Sequence, residues 1–358
     1  KFLVRLNDQK RSKQMTYYVG LDVALRSVSA CVIDDQGEIV KEAKLDSDVE
    51  VIVAWLKPVR SEIKIVGLEA GTLTQYLTYG LQAAEYPMVC MEARGVHAAL
   101  AAMRNKTDKN DARGIAQILR TGWYRTVHVK SIESHHIRAL LSSRKAVLNK
   151  CIDLENEVRG LFKVFGIKLP PKLKHGAFDD AVRGKIEADS ALSHALLPLL
   201  DARLVLYRTF LEMDRRARKM ASEDAICRRL MTMPGVGAIS ALTFKAAVDD
   251  PKRFKRSRTV GAHFGLTPRR FQSGEMDNMG HISKAGDRDV RIVLYAAANA
   301  LLTRTTGWSP VKAWGMRLMK TKGRKRALVA VSRKLAVILH RMWIDGNDFQ
   351  WGTEGGQS

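Results

Sequence analysis

Cysteine is scarce in this chain. Four occur in 358 residues, at Cys31, Cys90, Cys151 and Cys227, with no Cys-x-x-Cys pair and no histidine beside any of them. That spacing argues against a disulfide framework, suggests no zinc motif and fits a reducing cytosol. No apolar run reaches bilayer-spanning length, and the start lacks the shape of a signal peptide, so a membrane partner is not expected. The chain begins at Lys1 rather than Met, and the native N-terminus is expected to differ there. Acidic residues are in short supply too. There are 37 Asp and Glu against 60 Lys and Arg, giving a net charge of +23 and a pI near 10.0. Such a field attracts phosphate backbones and makes binding salt-dependent. The stretch from Pro251 to Ser358 holds 21 Lys and Arg against 7 Asp and Glu, so +14 of the excess lies there. A hydrophobic fraction of 46% excludes a disordered chain, and the length suits two or three domains.

Against that basic background four carboxylates stand out. Asp22 ends the apolar run Tyr17-Tyr18-Val19-Gly20-Leu21-Asp22, and Glu69 ends Ile65-Val66-Gly67-Leu68-Glu69. Asp108 and Asp111 sit three apart in Asn105-Lys106-Thr107-Asp108-Lys109-Asn110-Asp111-Ala112-Arg113, at an expected helix start. Two strand-end acids and an i, i+3 pair can converge on divalent cations, the hard-oxygen chemistry of two-metal phosphoryl transfer. Each acid alone also suits a turn or a helix N-terminus. Lys106 and Arg113 flank the pair as candidate phosphate contacts.

Residues 16 to 125 are expected to form an α/β domain with a mixed sheet. Three strands (17–22, 28–33, 38–45) lead to a helix at 49–56, a strand at 63–68, a helix at 74–84, a strand at 88–91 and further helix from Val96. Asp22 and Glu69 fall at C-terminal strand ends, where open α/β sheets place ligands. From 126 to 225 the pattern is a long helical spacer. Leu140, Val147, Leu154 and Leu161 recur every seven residues beside Arg144, Cys151, Val158 and Phe165, an imperfect coiled-coil stripe that Pro170-Pro171 breaks. A second long helix over 191–220 carries Leu196, Leu200, Leu204, Tyr207 and Leu211. The pair reads equally as an intramolecular hairpin or a subunit-pairing coiled coil. From 226 to 345 a mainly helical, basic domain follows. Met233-Pro234-Gly235-Val236-Gly237 suggests a helix-hairpin-helix turn whose Gly235 and Gly237 leave backbone N–H groups for phosphate. The last helix, 327–343, presents Val331, Leu335, Ile338 and Met342.

These motifs resemble the insertion-sequence-110 family of transposases, relatives of the pilin-gene invertase. Gly20-Leu21-Asp22, Gly67-Leu68-Glu69 and Arg104 to Arg113 are similar to that family's DEDD-type, RuvC-like (RNase H-like) domain. Met233 to Gly237, Gly265-Leu266-Thr267-Pro268-Arg269-Arg270-Phe271-Gln272-Ser273-Gly274 and Gly280 to Gly286 resemble its C-terminal transposase domain. The likeness runs in order over residues 16 to 343; the basic leader Lys1–Met15 has no place in it. The resemblance implies a serine-dependent recombinase, in which Ser273 attacks the scissile phosphate and Asp22, Glu69, Asp108 and Asp111 hold one or two Mg2+. It further implies phosphate contacts from Arg269, Arg270 and Lys284. The expected partners are donor and target DNA, an element-encoded bridge RNA and further copies of the chain, as a dimer or tetramer, in the bacterial or archaeal cytoplasm.

The residues themselves leave alternatives open. Ser273 and Ser283 both sit in Gly-containing, basic-flanked segments, and only the family pattern prefers Ser273. The acids alone are compatible with a metal-dependent nuclease or junction resolvase that hydrolyses DNA. They are also compatible with a non-enzymatic nucleic-acid-binding protein in which they serve as caps and turns.

Overall fold

Alternation of apolar and small residues builds the first strands, β1 (Tyr17–Val23), β2 (Ser27–Ile33) and β3 (Ile39–Asp46), in an antiparallel meander. Between β2 and β3, Asp34 Oδ1 accepts from the backbone N–H groups of Gln36 and Glu38, both at 2.9 Å, and Gly37 takes φ +93°. Helix α1 (Val49–Leu56) starts at Asp48, whose Oδ1 accepts from Glu50 N at 2.8 Å. Then come β4 (Ile63–Glu69), α2 (Thr74–Ala83), β5 (Met88–Met91), α3 (Ala93–Leu100) and α4 (Asp108–Thr121). The strand order is β3-β2-β1-β4-β5, with β4 and β5 parallel to β1. One face of the sheet packs Val19, Leu21, Val28 and Val32 against Ile52, Leu56, Leu77 and Leu81 of α1 and α2. The other packs Tyr18, Cys31 and Ile33 against Ala112, Ile115, Ala116 and Leu119 of α4. This is the mixed α/β sheet expected from the sequence; the helical stretch after Val96 resolves into two helices, α3 and α4.

The computed structural model describes residues 15–101, 105–273 and 276–351, with the side chains of Phe271, Ser273, Met276, Asp277 and Met279 outside that description. The basic leader up to Gln14 and the motif residues Arg104 and Gly274 lie outside the described residues. The chain divides into two compact units, one ending at Lys130 and one beginning at Ser131.

The second unit opens with α5 (Ile132–Val164), followed by α6 (Phe178–Ile186), α7 (Ser190–Glu223), α8 (Ala225–Met231), α9 (Ala238–Val248) and α10 (Val260–His263). A hairpin of β6 (Pro268–Ser273) and β7 (Met276–Ile282) precedes α11 (Arg288–Thr303), α12 (Pro310–Lys322) and α13 (Arg324–Asp345). The unit is largely helical, and the hairpin is its one two-stranded sheet among the described residues. Helices α5 and α7 pack along each other within the unit, braced by Arg144 Nε donating to Asp214 Oδ1 at 2.7 Å. The two heptad rows fare differently. Leu140, Val147, Leu154 and Leu161 are only half-buried, while Cys151 and Val158 of the second row are buried, with Phe162 buried where Phe165 is exposed, and the expected Leu196 and Leu200 of α7 are buried beside Leu192. A straight helix turns every 3.6 residues, so a strict seven-residue stripe drifts off the contact face over 33 residues. On α13 the buried face is Val331, Leu335, Leu339 and Met342, with Ile338 half-buried. Among the described residues no helix is long and apolar enough to cross a membrane. All four cysteines are buried and free of disulfides.

Candidate active site

Strands β1 and β4 run parallel in the register Gly20↔Gly67 and Leu21↔Leu68, which sets Asp22 beside Glu69 at one end of the sheet. Side chains alternate between faces. Leu21 and Leu68 point into the core under α1 and α2, so Gly20, Asp22, Gly67 and Glu69 share the α4 face. Gly20 is what lets α4 come close: a Cβ there would lie 2.3 Å from Ala112 O and 2.5 Å from Ala116 N. The helix backbone thus rides directly on β1, and its first turn reaches the strand ends. Thr107 caps α4, its Oγ1 accepting from Asn110 N at 3.2 Å, and Asp108 and Asp111 occupy the first turn, where the helix dipole favours negative charge.

Asp22, Glu69 and Asp111 line one open cleft of about 410 Å³ together with His97, Lys106 and the backbone near Ala70 and Gly71. Burial raises the Asp22 carboxyl to about 6, with Asp111, Asp108 and Glu69 adding repulsion and Lys106 opposing it. Glu69 is also raised, first by burial and then by Asp111, against the pull of His97 and Lys106. Electrostatically these acids form one group.

Asp108 faces the other way. It lies 3.7 Å from Lys44 Nζ and lines a neighbouring cleft with Ser29, Glu42, Lys44 and Lys109. Among the described residues, no three of the four acids bring ligand oxygens mutually within 4.8 Å. Like-charge repulsion favours such spacing. The donors are hard carboxylate oxygens around a polar cleft, and that chemistry fits Mg2+.

Lys106 lines the cleft, whereas Arg113 forks onto Glu42, with Nη2 to Oε2 at 2.9 Å, and so ties α4 to β3. The hydrogen bonds from Arg113 hold Glu42 down to about 2. His97 and Lys44 were not singled out in the sequence; each is an isolated residue whose relevance appears only when the strands and helices meet.

In the second unit, Ser273 is the last residue of β6 and pairs with Met276. Arg269 and Arg270 are exposed on the same strand, and Arg269 Nη2 donates to Ser283 O at 3.3 Å. Ser283 is half-buried, its Oγ accepting from Ala285 N at 3.4 Å. Lys284 is exposed in the left-handed region at φ +54°. The glycines of the 233–237 turn differ. A Cβ on Gly235 (φ +86°) would lie 2.4 Å from Ala297 O, so its bareness serves packing against α11. Gly237 begins α9 with open space around it.

Comparison with known proteins places this architecture. A profile of DEDD transposases of the IS110 type, described as "Transposase", matches residues 19–166, and one described as "Transposase IS116/IS110/IS902 family" matches residues 227–312. The chain belongs to the IS110/IS116/IS902 family of transposases. Similarity extends to the transposase for insertion sequence element IS1111A of Coxiella burnetii, 29% identical over 345 residues, 92% of this chain and 90% of the relative. The transposase for insertion sequence element IS1328 of Yersinia enterocolitica is 26% identical over 200 residues, 56% of this chain and 60% of the relative. Its mixed-sheet unit is therefore a DEDD, RNase H-like domain, and the transposase is an enzyme of phosphoryl transfer on DNA. A non-enzymatic binding role is set aside. A DEDD domain works with divalent metal.

Proposed function

We propose that this transposase cuts and rejoins DNA through a covalent serine intermediate, with Ser273 as nucleophile. The observation that carries the metal-dependent part of the reading is the convergence of Asp22, Glu69 and Asp111 on one cleft beside Lys106 and His97, while Ser273 rests on the family likeness. In this reading Asp22, Glu69 and Asp111 hold one or two Mg2+, with Asp108 released from Lys44 to join them. Bound there, the metal supplies Lewis-acid polarisation of the phosphoryl oxygens and favours the alkoxide form of the attacking hydroxyl. Lys106 offers a positive charge to the phosphate in the same cleft. Ser273 Oγ gives up its proton and bonds to phosphorus as the DNA oxygen leaves and is protonated. The phosphoserine keeps a phosphodiester of similar energy, so reversal of the step on a new DNA end rejoins the strands without another energy source. Arg269 and Arg270, on the same strand as Ser273, suit charge-assisted bonds to the attacked phosphate, and exposed Lys284 suits a flanking one.

The remaining parts of the reading rest on the family likeness. They are a site completed between protomers, in at least a dimer, and a bridge RNA that pairs with donor and target DNA. The division into a RuvC-like domain (16–125), a helical spacer (126–225) and a serine domain (226–345) belongs with them, as does cytoplasmic action on the nucleoid. Of the turn glycines, Gly237 alone retains the open helix start that phosphate contact requires.

The test is covalent capture. Incubated with target DNA, guide RNA and Mg2+, the wild type should yield a protein–DNA adduct that survives denaturation, and Ser273→Ala should lose it while still binding nucleic acid. Ser283→Ala should keep it. An adduct lost in Ser283→Ala and kept in Ser273→Ala reassigns the nucleophile, and free cut ends without any adduct establish a hydrolytic nuclease instead.

A further inference from the structure

Cys151 and Glu155 lie one turn apart on α5 and therefore share a face. Cys151 is fully buried and Glu155 is 9% exposed. The short turn His175–Ala177 brings His175 Nδ1 to 2.7 Å from Glu155 Oε1, and Cys151 Sγ lies 3.8 Å from the same oxygen. All three ligand atoms fall within 4.8 Å of one another, and among the described residues no other trio of His, Cys, Asp and Glu side chains does. Tetrahedral zinc, with bonds of about 2.0–2.3 Å, holds its donors roughly 3.3–3.7 Å apart. Small side-chain rotations cover the difference.

The surrounding charges are unbalanced. Arg203, 1% exposed, donates to Glu155 Oε1 from Nε at 3.0 Å and from Nη2 at 2.5 Å, and its Nη1 pairs with Asp179 Oδ2. Burial favours the neutral thiol of Cys151. With the His175 ring neutral, two carboxylates face one guanidinium, one negative charge in excess. Asp179 Oδ1 is buried without a hydrogen-bond partner. An unbalanced charge and an orphaned acceptor are both costly in an interior. A divalent cation bound by a Cys151 thiolate adds two positive charges and one negative, which cancels the excess. Glu155 turned toward that ion also frees Arg203 to fork onto both oxygens of Asp179.

We infer that Cys151, Glu155 and His175 form a binding site for a thiophilic divalent cation of the zinc class, which ties α5 to the connection ahead of α6. On uptake the Cys151 S–H gives its proton to solvent and the sulfur–metal bond forms. Nδ1 of His175 supplies its lone pair with the ring proton on Nε2. The His175 side chain, 39% exposed, marks the entry side and the place for a water as fourth ligand.

The experiment is a Co2+ titration of the chelator-stripped, full-length protein, read by the ultraviolet thiolate-to-cobalt charge-transfer band and the visible bands of tetrahedral cobalt. The cleft at Asp22 offers oxygen and imidazole donors alone and contributes no thiolate band. The wild type should take up one thiolate-bound Co2+, displaced by Zn2+. Cys151→Ser should lose the band, and His175→Gln, on the solvent side, should weaken binding by about tenfold or more. A folded wild type without the band, or a band that survives either substitution unchanged, overturns the site. So does a His175 imidazolium seen by NMR with no ion taken up, because that proton would balance the cluster by itself.

Discussion

Replacing Asp22 with Asn should make the metal-free protein more stable while abolishing recombination. Asp22 rises from 3.8 to about 6 on folding. A carboxyl raised in this way holds its proton more tightly in the folded chain, so stability falls as pH climbs through the window from 3.8 to about 6. Above that window the charged form carries the whole cost, and below 3.8 the cost is absent. Two pKa units correspond to about 3 kcal/mol, which solvent screening of a half-buried group reduces to about 1–2 kcal/mol. Asn keeps the shape and removes the charge. The assay is hydrogen exchange of β1 and β4 amides in chelator, which reports the Asp22 unit separately from the second unit. Near pH 7 the Asn variant should be better protected by about 1–2 kcal/mol, and the gain should vanish near pH 4. Added Mg2+ should stabilise the wild type by mass action and do little for the variant. A variant less protected than wild type at neutral pH without metal would refute the picture of a strained carboxylate cluster.

Gly20→Ala should destabilise the first unit by about 2–3 kcal/mol, since its Cβ meets α4 backbone and not a pliable side chain; denaturant unfolding checks it. Arg203→Met should cost about 3–5 kcal/mol in the second unit by leaving Glu155 and Asp179 buried without their cation, as thermal or denaturant unfolding would show. Affinity for DNA should fall by roughly a thousandfold or more between 50 and 200 mM salt if six to ten phosphates are contacted. A flat titration series over that range would contradict binding by the basic C-terminal stretch.

The first unit was legible because its signals are local. Gly20-Leu21-Asp22 and Gly67-Leu68-Glu69 each end a strand, Thr107 caps a helix, and Asp34 to Gly37 makes a turn, so each segment declares itself within a few residues. What sequence could not give is which side a residue faces once segments meet. Asp108 and Asp111 share a helix turn, yet Asp111 enters the cleft and Asp108 faces Lys44. His97 joins the acids, and Glu42 claims Arg113, through contacts between distant parts of the chain. In the second unit the long helices were plain from their periodicity. Their buried seam was plain only in part: Cys151, Val158, Leu196 and Leu200 lie in it, but Arg203 occupies a core position that a hydrophobic pattern leaves blank. The 233–237 glycines read as alike, and the contact of Gly235 with α11 separates them.

The neighbours of β1 also give the cleft an order of assembly. On one side β1 pairs with β2 across a short turn, a union that local chain motion reaches within microseconds. On the other it pairs with β4, after a crossover that includes all of β3 and α1, and such non-local pairing is slow because loop-closure entropy comes first. Asp22 is thus in place early, Glu69 arrives with β4, and Asp111 follows when α4 settles over Gly20. A nascent chain that has emerged only as far as β4 carries two of the acids and no cleft. The cleft itself is complete only once α4 has left the ribosome and docked.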